Sequence, residues 1–229
     1  MGTAQSAPHR KPDLRLYAVV DPQRVGGREL FDLASLVAGG GATLVQLRDK
    51  RSATRAMVER ARAIKAALNE FAIPFLINDR IDVALACAAD GVHVGQEDMA
   101  AEDVRRLLGA KAIIGLSVKT AAEAEAAPLD ILDYLGVGGV FATSSKDNPA
   151  PAIGGAGLRR ISDMVRRRAA GFPICGIAGI TIDNAAQVIA AGADGVAVIS
   201  ALSPESDPRA AAQKMRAAVE AALAQRGRP

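Results

Sequence analysis

Aromatic side chains are scarce in this chain, which has no tryptophan, two tyrosines and five phenylalanines among 229 residues. Proteins that grip single-stranded nucleic acid stack its bases on aromatic rings, and too few are present here for such a platform. Cysteine is also rare. Cys87 and Cys175 each sit in an apolar run and read as buried free thiols of a reducing compartment, not as a disulfide framework. No apolar run approaches the roughly 20 residues of a membrane span. The first dozen residues lack the apolar stretch of a signal peptide. A cytoplasmic protein with no nucleic-acid and no membrane partner is therefore expected.

Charge excess of one sign is small. The net charge is +3, and Arg10, Lys11, Arg226 and Arg228 near the ends supply that excess, so the high isoelectric point carries no nucleic-acid signal. What the chain does have is apolar character. Hydrophobic residues make up 50%, enough for a sizeable core, and no shift in composition marks a second domain.

Short runs of β character alternate with Ala-rich helical patterns. Strands are expected over 14–20, 44–47, 75–77, 91–94, 112–116, 134–137, 174–177 and 195–199. Helices are expected over 30–38, 53–70, 83–88, 101–108, 121–126, 158–168, 184–191 and 208–224. In the second helix Met57, Ala61, Ile64 and Leu68 repeat on one face. Strands that are apolar nearly throughout are buried on both sides, which calls for a parallel sheet flanked by helices. Eight such units fit a single-domain α/β fold, the (β/α)8 barrel, over 14–224, with a disordered head at 1–13 and a flexible tail at 225–229. An open doubly wound sheet is the competing architecture, but Asp21-Pro22-Gln23 after the first strand lacks its glycine-rich turn.

A barrel of this kind keeps its chemistry at the C-terminal ends of its strands. There the sequence puts Gln46-Leu47-Arg48-Asp49-Lys50, Asn78-Asp79-Arg80, Gly95-Gln96-Glu97-Asp98, Ser117, Thr143-Ser144-Ser145-Lys146, Gly179 and Ser200. Asp79 and Asp98 form a carboxylate pair on adjacent loops. Mg2+ takes one or two carboxylates and fills its remaining positions with water and phosphate oxygens, so the pair suits a metal–phosphate site. Either residue alone reads equally as a turn or helix cap, and Asp98 in particular precedes a helix. Arg48, Lys50 and Lys146 would face the phosphate. A second anion position lies over 176–181 and 198–200, where glycine-exposed amides need no basic side chain. His93 alternates with Val92 and Val94 and reads as structural. Asp90 and Asp194 read as turn residues, and Arg166-Arg167-Arg168 as a solvated helix end.

At these residues the chain resembles the thiamine-phosphate synthase family. The matching strings are Gln46 to Lys50, Asn78-Asp79, His93 to Asp98, Gly115-Leu116-Ser117, Phe141 to Lys146, Gly176 to Thr181 and Ala193 to Ser200. The resemblance implies a TIM barrel that joins hydroxymethylpyrimidine diphosphate to thiazole phosphate and releases diphosphate. It implies Mg2+ on Asp79 and Asp98. It implies pyrimidine diphosphate on Gln46, Arg48, Lys50, Asn78, Ser117 and Lys146, with Lys146, Ser117, Arg48 and Lys50 taking part in catalysis. Thiazole phosphate would lie on Thr143, Ser145, Gly179, Ile199 and Ser200. Small-molecule substrates are thus the expected partners, and a homo-oligomer is left open.

Three positions depart from the family pattern. Gly138-Gly139 replaces Gly-Pro, Ser145 replaces threonine, and Ala178 replaces glycine, which strains the chain if that peptide needs a positive φ. The rival readings are a thiazole tautomerase on the same fold and a non-catalytic phosphometabolite-binding barrel. The first is expected to carry a histidine base at the mouth, and Ser117-Val118-Lys119-Thr120 offers none.

Overall fold

The computed structural model describes residues 11–143, 151–203 and 205–227. Its eight strands are β1 Leu16–Val20, β2 Leu44–Leu47, β3 Phe75–Asn78, β4 Gly91–Val94, β5 Ile113–Val118, β6 Tyr134–Val137, β7 Ile174–Ile177 and β8 Gly195–Val198. They pair in chain order, all parallel, and β8 returns to β1 to close the barrel. The helices are α1 Leu30–Gly39, α2 Thr54–Leu68, α3 Ile81–Ala86, α4 Ala101–Leu108, α5 Ala121–Ala126, α6 Gly154–Arg168, α7 Ala185–Ala190 and α8 Pro208–Arg226.

Successive strand residues face opposite sides, so each strand feeds two cores. One lies between sheet and helices and includes Leu16, Val45, Leu47, Ile77, Val92, Ile114, Leu135 and Val196. The other fills the barrel axis with Tyr17, Val19, Leu44, Leu76, Ile113, Tyr134, Cys175 and Ala197. Near-continuous hydrophobicity along the strands follows directly. Cys175 and Cys87 are buried and free, and burial pushes the Cys175 thiol up to about 12.

Several helix ends differ from the sequence expectation by one or two residues, and the start of α6 by four. Helix α6 begins at Gly154, four residues early, because Gly154-Gly155-Ala156-Gly157 carries no apolar periodicity. Helix α8 takes in Gln225 and Arg226, expected in the tail. The Arg226 guanidinium donates to the carbonyl of Ala193 at 2.6 Å and to Asp194 at 3.0 Å.

Alternate strands are latched at the barrel floor by one repeated device. The first N–H of β1 donates to Thr43 Oγ1 (3.1 Å), and Phe75 N–H of β3 donates to Asp90 (2.8 Å). Ile114 N–H of β5 donates to Asp133 (2.8 Å), and Ile174 N–H of β7 to Asp194 (3.0 Å). In each case the acceptor immediately precedes the next, even-numbered strand. The three carboxylates are held in turn by Lys65 of α2, Arg105 of α4, and Arg166 of α6 with Arg226 of α8. Asp90 and Asp194 thus have the turn role expected of them. Arg166 is no idle solvated charge, and Arg168 likewise ties α6 to the carbonyls of Ala124 (2.6 Å) and Ala127 (2.9 Å).

The latches differ in burial. Asp133 is 2% exposed and its partner Arg105 13%, whereas Asp90 is 44% exposed. Removing one member of a buried pair strands the other charge, at a cost of about 3–5 kcal/mol, against about 1 kcal/mol or less for an exposed pair. Asp133→Ala should therefore lower the unfolding free energy, measured by urea titration, several times more than Asp90→Ala.

Candidate active site at the barrel mouth

An open cavity sits at the C-terminal end of the barrel. Gln46, Arg48, Asn78, Ser117, Thr143, Gly179, Ile199 and Ser200, all named from the sequence, line it together. Residues Ser145 and Lys146 lie outside the described residues.

The segment after β2 shows why side chains converge here. Alternation continues past the strand, so Gln46 and Arg48 face the mouth while Leu47 and Asp49 face away and are buried. Asp49 accepts from the backbone N–H of Arg51 (3.2 Å) and Ser52 (3.0 Å), and from Arg60 (2.9 Å). Burial alone would raise its pKa, but these donors win and hold the carboxyl below the usual range. The loop is pinned and Lys50 is delivered to the rim.

Arg48 is held by Asp21, a residue the sequence reading passed over. Its Nη1 lies 2.6 Å from Asp21 Oδ2, and the carboxylate is 3% exposed. Asp21 also accepts from Gln23 N–H at 2.9 Å. The available signal was position: Asp21 is the first residue after β1, at the same end of the barrel as the other polar groups.

Asp79 and Asp98 come together at the rim. Asp79 forms an ion pair with Lys50, and Asp98 lies close enough to push the pKa of the Asp79 carboxyl up. Asp98 does not cap α4, whose N-terminal position is Ala100 without a side-chain cap. Its Oδ2 instead accepts from Gly95 N–H at 2.7 Å and folds its own loop inward. Asp79 adopts φ +60°, a left-handed conformation that Asp and Asn tolerate better than most residues.

The amide side of the mouth is equally constrained. Gly179 has φ +65°, and a Cβ there would lie 2.4 Å from the carbonyl oxygen of Ala142. The carbonyl of Gly179 accepts from Asn184 Nδ2 at 3.0 Å. Ala178 stands at φ +84°, so the strain foreseen for an alanine in place of glycine is present. After β8, the N–H groups of Leu202 and Ser203 both return to the carbonyl of Ile199 (3.2 and 3.0 Å). This is a single helical turn, of the kind that leaves its leading amides without intrachain acceptors.

The floor of the cavity holds residues that the sequence reading missed or assigned elsewhere. His93, read as structural, faces inward. Its Nε2 lies 2.8 Å from Ser117 Oγ and its Nδ1 2.8 Å from Tyr134 Oη. Tyr134 Oη is in turn 2.9 Å from Tyr17 Oη, which accepts from Gln46 Nε2. The only cue to the tyrosines was that the chain has just two and both stand inside strands.

Comparison with known proteins decides the family. The family model described as thiamine monophosphate synthase matches residues 16–202. The chain belongs to this family. It is 47% identical over 213 residues to the thiamine-phosphate synthase of Agrobacterium fabrum, covering 93% of this chain and 97% of the relative. It is 49% identical over 210 residues to that of Xanthobacter autotrophicus, covering 92% and 97%. A solved structure of thiamine phosphate pyrophosphorylase from Pyrococcus furiosus superposes with a TM-score of 0.81 at 38% identity, over 93% of this chain and 98% of that one. The protein is thus an enzyme of the thiamine-phosphate synthase type.

Asp79 gives a test of the rim electrostatics. Burial raises its pKa, Lys50 pulls it down, Asp98 pushes it up, and the net shift is upward. The folded protein therefore holds this proton longer than the unfolded chain does. The associated stability is complete below about pH 3.8 and is lost as pH rises through the raised value. Asp79→Asn removes that loss and tolerates the positive φ. In chelator, the melting temperature of the variant relative to the parent should climb as pH rises from 3.5 to 7.

Proposed function

We propose that this enzyme joins hydroxymethylpyrimidine diphosphate to thiazole phosphate, giving thiamine phosphate and diphosphate, with the charged rim binding the diphosphate and the amide side binding the thiazole phosphate. The observation that carries the reading is the meeting of Asp79, Asp98 and Lys50 next to Asn78, which with Arg48 and Ser117 lines the cavity. No nearby set of protein nucleophile and base is needed, because a dissociative substitution asks only for stabilisation of the departing diphosphate and positioning of the incoming nitrogen.

Mg2+ fits the donor set. Among the described residues no group of three or more His, Cys, Asp or Glu side chains could hold a metal, so the protein offers two hard carboxylate oxygen donors and leaves the remaining positions to water and phosphate. That division suits Mg2+ better than zinc or an all-protein calcium cage. When bound, the ion would neutralise charge developing on the departing diphosphate. Arg48, fixed by Asp21, would clasp the same group. Lys50 pairs with Asp79 and would be redirected to the diphosphate once Asp79 serves the cation. Lys146, outside the described residues, would take the diphosphate-binding role that the resemblance implies. The thiazole phosphate would lie on the amides of Gly179, Ile199 and Ser200, with Thr143 and Ser145 supplying hydroxyls.

Two buried thiols with no disulfide support a cytoplasmic location. Among the described residues no helix is long and apolar enough to cross a membrane.

Thiamine phosphate should form only when both substrates and a divalent ion are present. Formation of no product from that mixture would overturn the synthase reading and leave the tautomerase and the non-catalytic barrel. Asp79→Ala and Asp98→Ala should each cost on the order of 10²-fold in turnover at saturating Mg2+. Asp21→Asn should act one step removed, loosening Arg48. Its KM for pyrimidine diphosphate should rise about tenfold while that for thiazole phosphate stays within twofold, as read from steady-state kinetics.

A further inference from the structure

Gln46 of β2 and Ser117 of β5 are joined beneath the cavity by an unbroken chain of hydrogen bonds. It runs through Tyr17 of β1, Tyr134 of β6 and His93 of β4. Both tyrosines are about 1% exposed or less, and His93 and Gln46 are nearly as buried. Room for the rings is built into the neighbouring strands. A Cβ on Gly115 would lie 2.1 Å from the Tyr134 ring, and one on Gly136 would lie 2.9 Å from His93 Cε1. The rings also pack on one another, Tyr17 edge-on to Tyr134 and His93 stacked against it at 5.4 Å.

Counting protons fixes the sense of the chain. Gln46 Nε2 can only donate, so Tyr17 Oη accepts from it, and the fully buried phenol satisfies its own proton by giving it to Tyr134 Oη. Tyr134 then gives its proton to Nδ1 of His93, which must be bare. The imidazole proton is on Nε2 and goes to Ser117 Oγ, which leaves the serine proton for the cavity. With Nε2 committed to Tyr17, Gln46 offers the cavity its carbonyl oxygen. Reversal requires all five groups to turn together: the amide flips, the imidazole changes tautomer, and Ser117 becomes an acceptor. Burial raises the pKa of both phenols, so each keeps the proton that the count assigns to it.

We propose that Tyr17, Tyr134 and His93 are positioning residues that couple Gln46 and Ser117 so that one accepts when the other donates, which selects a heteroaromatic ring with one donor edge and one acceptor edge. This rests on the reading that the cavity takes an aminopyrimidine. Such a ring presents an amino donor beside a ring-nitrogen acceptor. Replacing the amino group by an oxo group inverts both, and binding it would turn the whole chain over.

The relay can be tested without substrate. Long-range 15N spectra of the labelled protein at pH 8 report two histidines, and His9→Ala identifies the signals of His93. The parent should show the proton on Nε2. In Gln46→Glu the carboxylate accepts from Tyr17, every bond reverses, and the proton should move to Nδ1. A parent protonated on Nδ1, or an unchanged His93 spectrum in the variant, overturns the relay.

Kinetics then test what the relay does. Tyr134→Phe keeps the ring and cuts the chain. The ratio of the inhibition constant of the oxo analogue to the KM of pyrimidine diphosphate should fall at least tenfold, with the KM of thiazole phosphate within twofold. An unchanged ratio, or equal losses for both substrates, overturns the selective role. Tautomer results as expected beside a protein that makes no thiamine phosphate would instead leave the relay standing and remove the reading of the substrate.

Discussion

Closure of eight parallel strands is the constraint on which the rest depends. Once β8 pairs with β1, every second side chain of every strand is committed to one axis about which there is little space. Tyr134 and His93 fit there only because Gly115 and Gly136 leave room for their rings. The same alternation, carried a few residues beyond each strand, brings Arg48, Asn78 and Ser117 to one cavity from segments as much as 69 residues apart in the chain. The floor latches serve this geometry from below. They fix the first N–H of β1, β3 and β7 and the second of β5, and with them the register that decides which residues face inward.

Much of this was legible because it is periodic or local. Two-sided hydrophobicity announced a parallel sheet, and the spacing of strands and helices announced eight units. Polar residues at strand ends then picked out the mouth, since Gln46, Arg48 and Ser117 each follow or close an apolar run. What stayed hidden depends on contacts between distant segments. Tyr17 and Tyr134 stand 117 residues apart and meet only across the axis. Asp21 has meaning only once β1 lies beside β2 and Arg48 is within 2.6 Å. The start of α6 was obscure for a different reason, since a first turn of three glycines and an alanine carries no apolar stripe. Asp98 illustrates a third case. Its position before a helix suggested a cap, yet a hydrogen bond to Gly95 takes the carboxylate to the neighbouring Asp79 instead.

In the proposed reading the two halves of the mouth would treat anions by different physics, and the proposed reaction gives a reason. Thiazole phosphate carries the same charge before and after the bond forms, so its site gains nothing from groups that respond during the reaction. Fixed amides suffice, and they avoid the cost of burying a cation that would have to be neutralised in the empty enzyme. The diphosphate is different, because negative charge accumulates on it as the carbon–oxygen bond breaks. The site proposed for it is assembled from formal charges that are balanced against one another in this structure: Arg48 by Asp21, and Lys50 by Asp79. The first pair is buried and tight, and it presets direction. The second is exposed on its lysine side, is crowded by Asp98, and has a carboxyl whose ionisation is already disfavoured. A site with one rigid clasp and one strained, exchangeable pair can hold the leaving group in line while keeping a cation in reserve for charge that does not exist until the bond breaks.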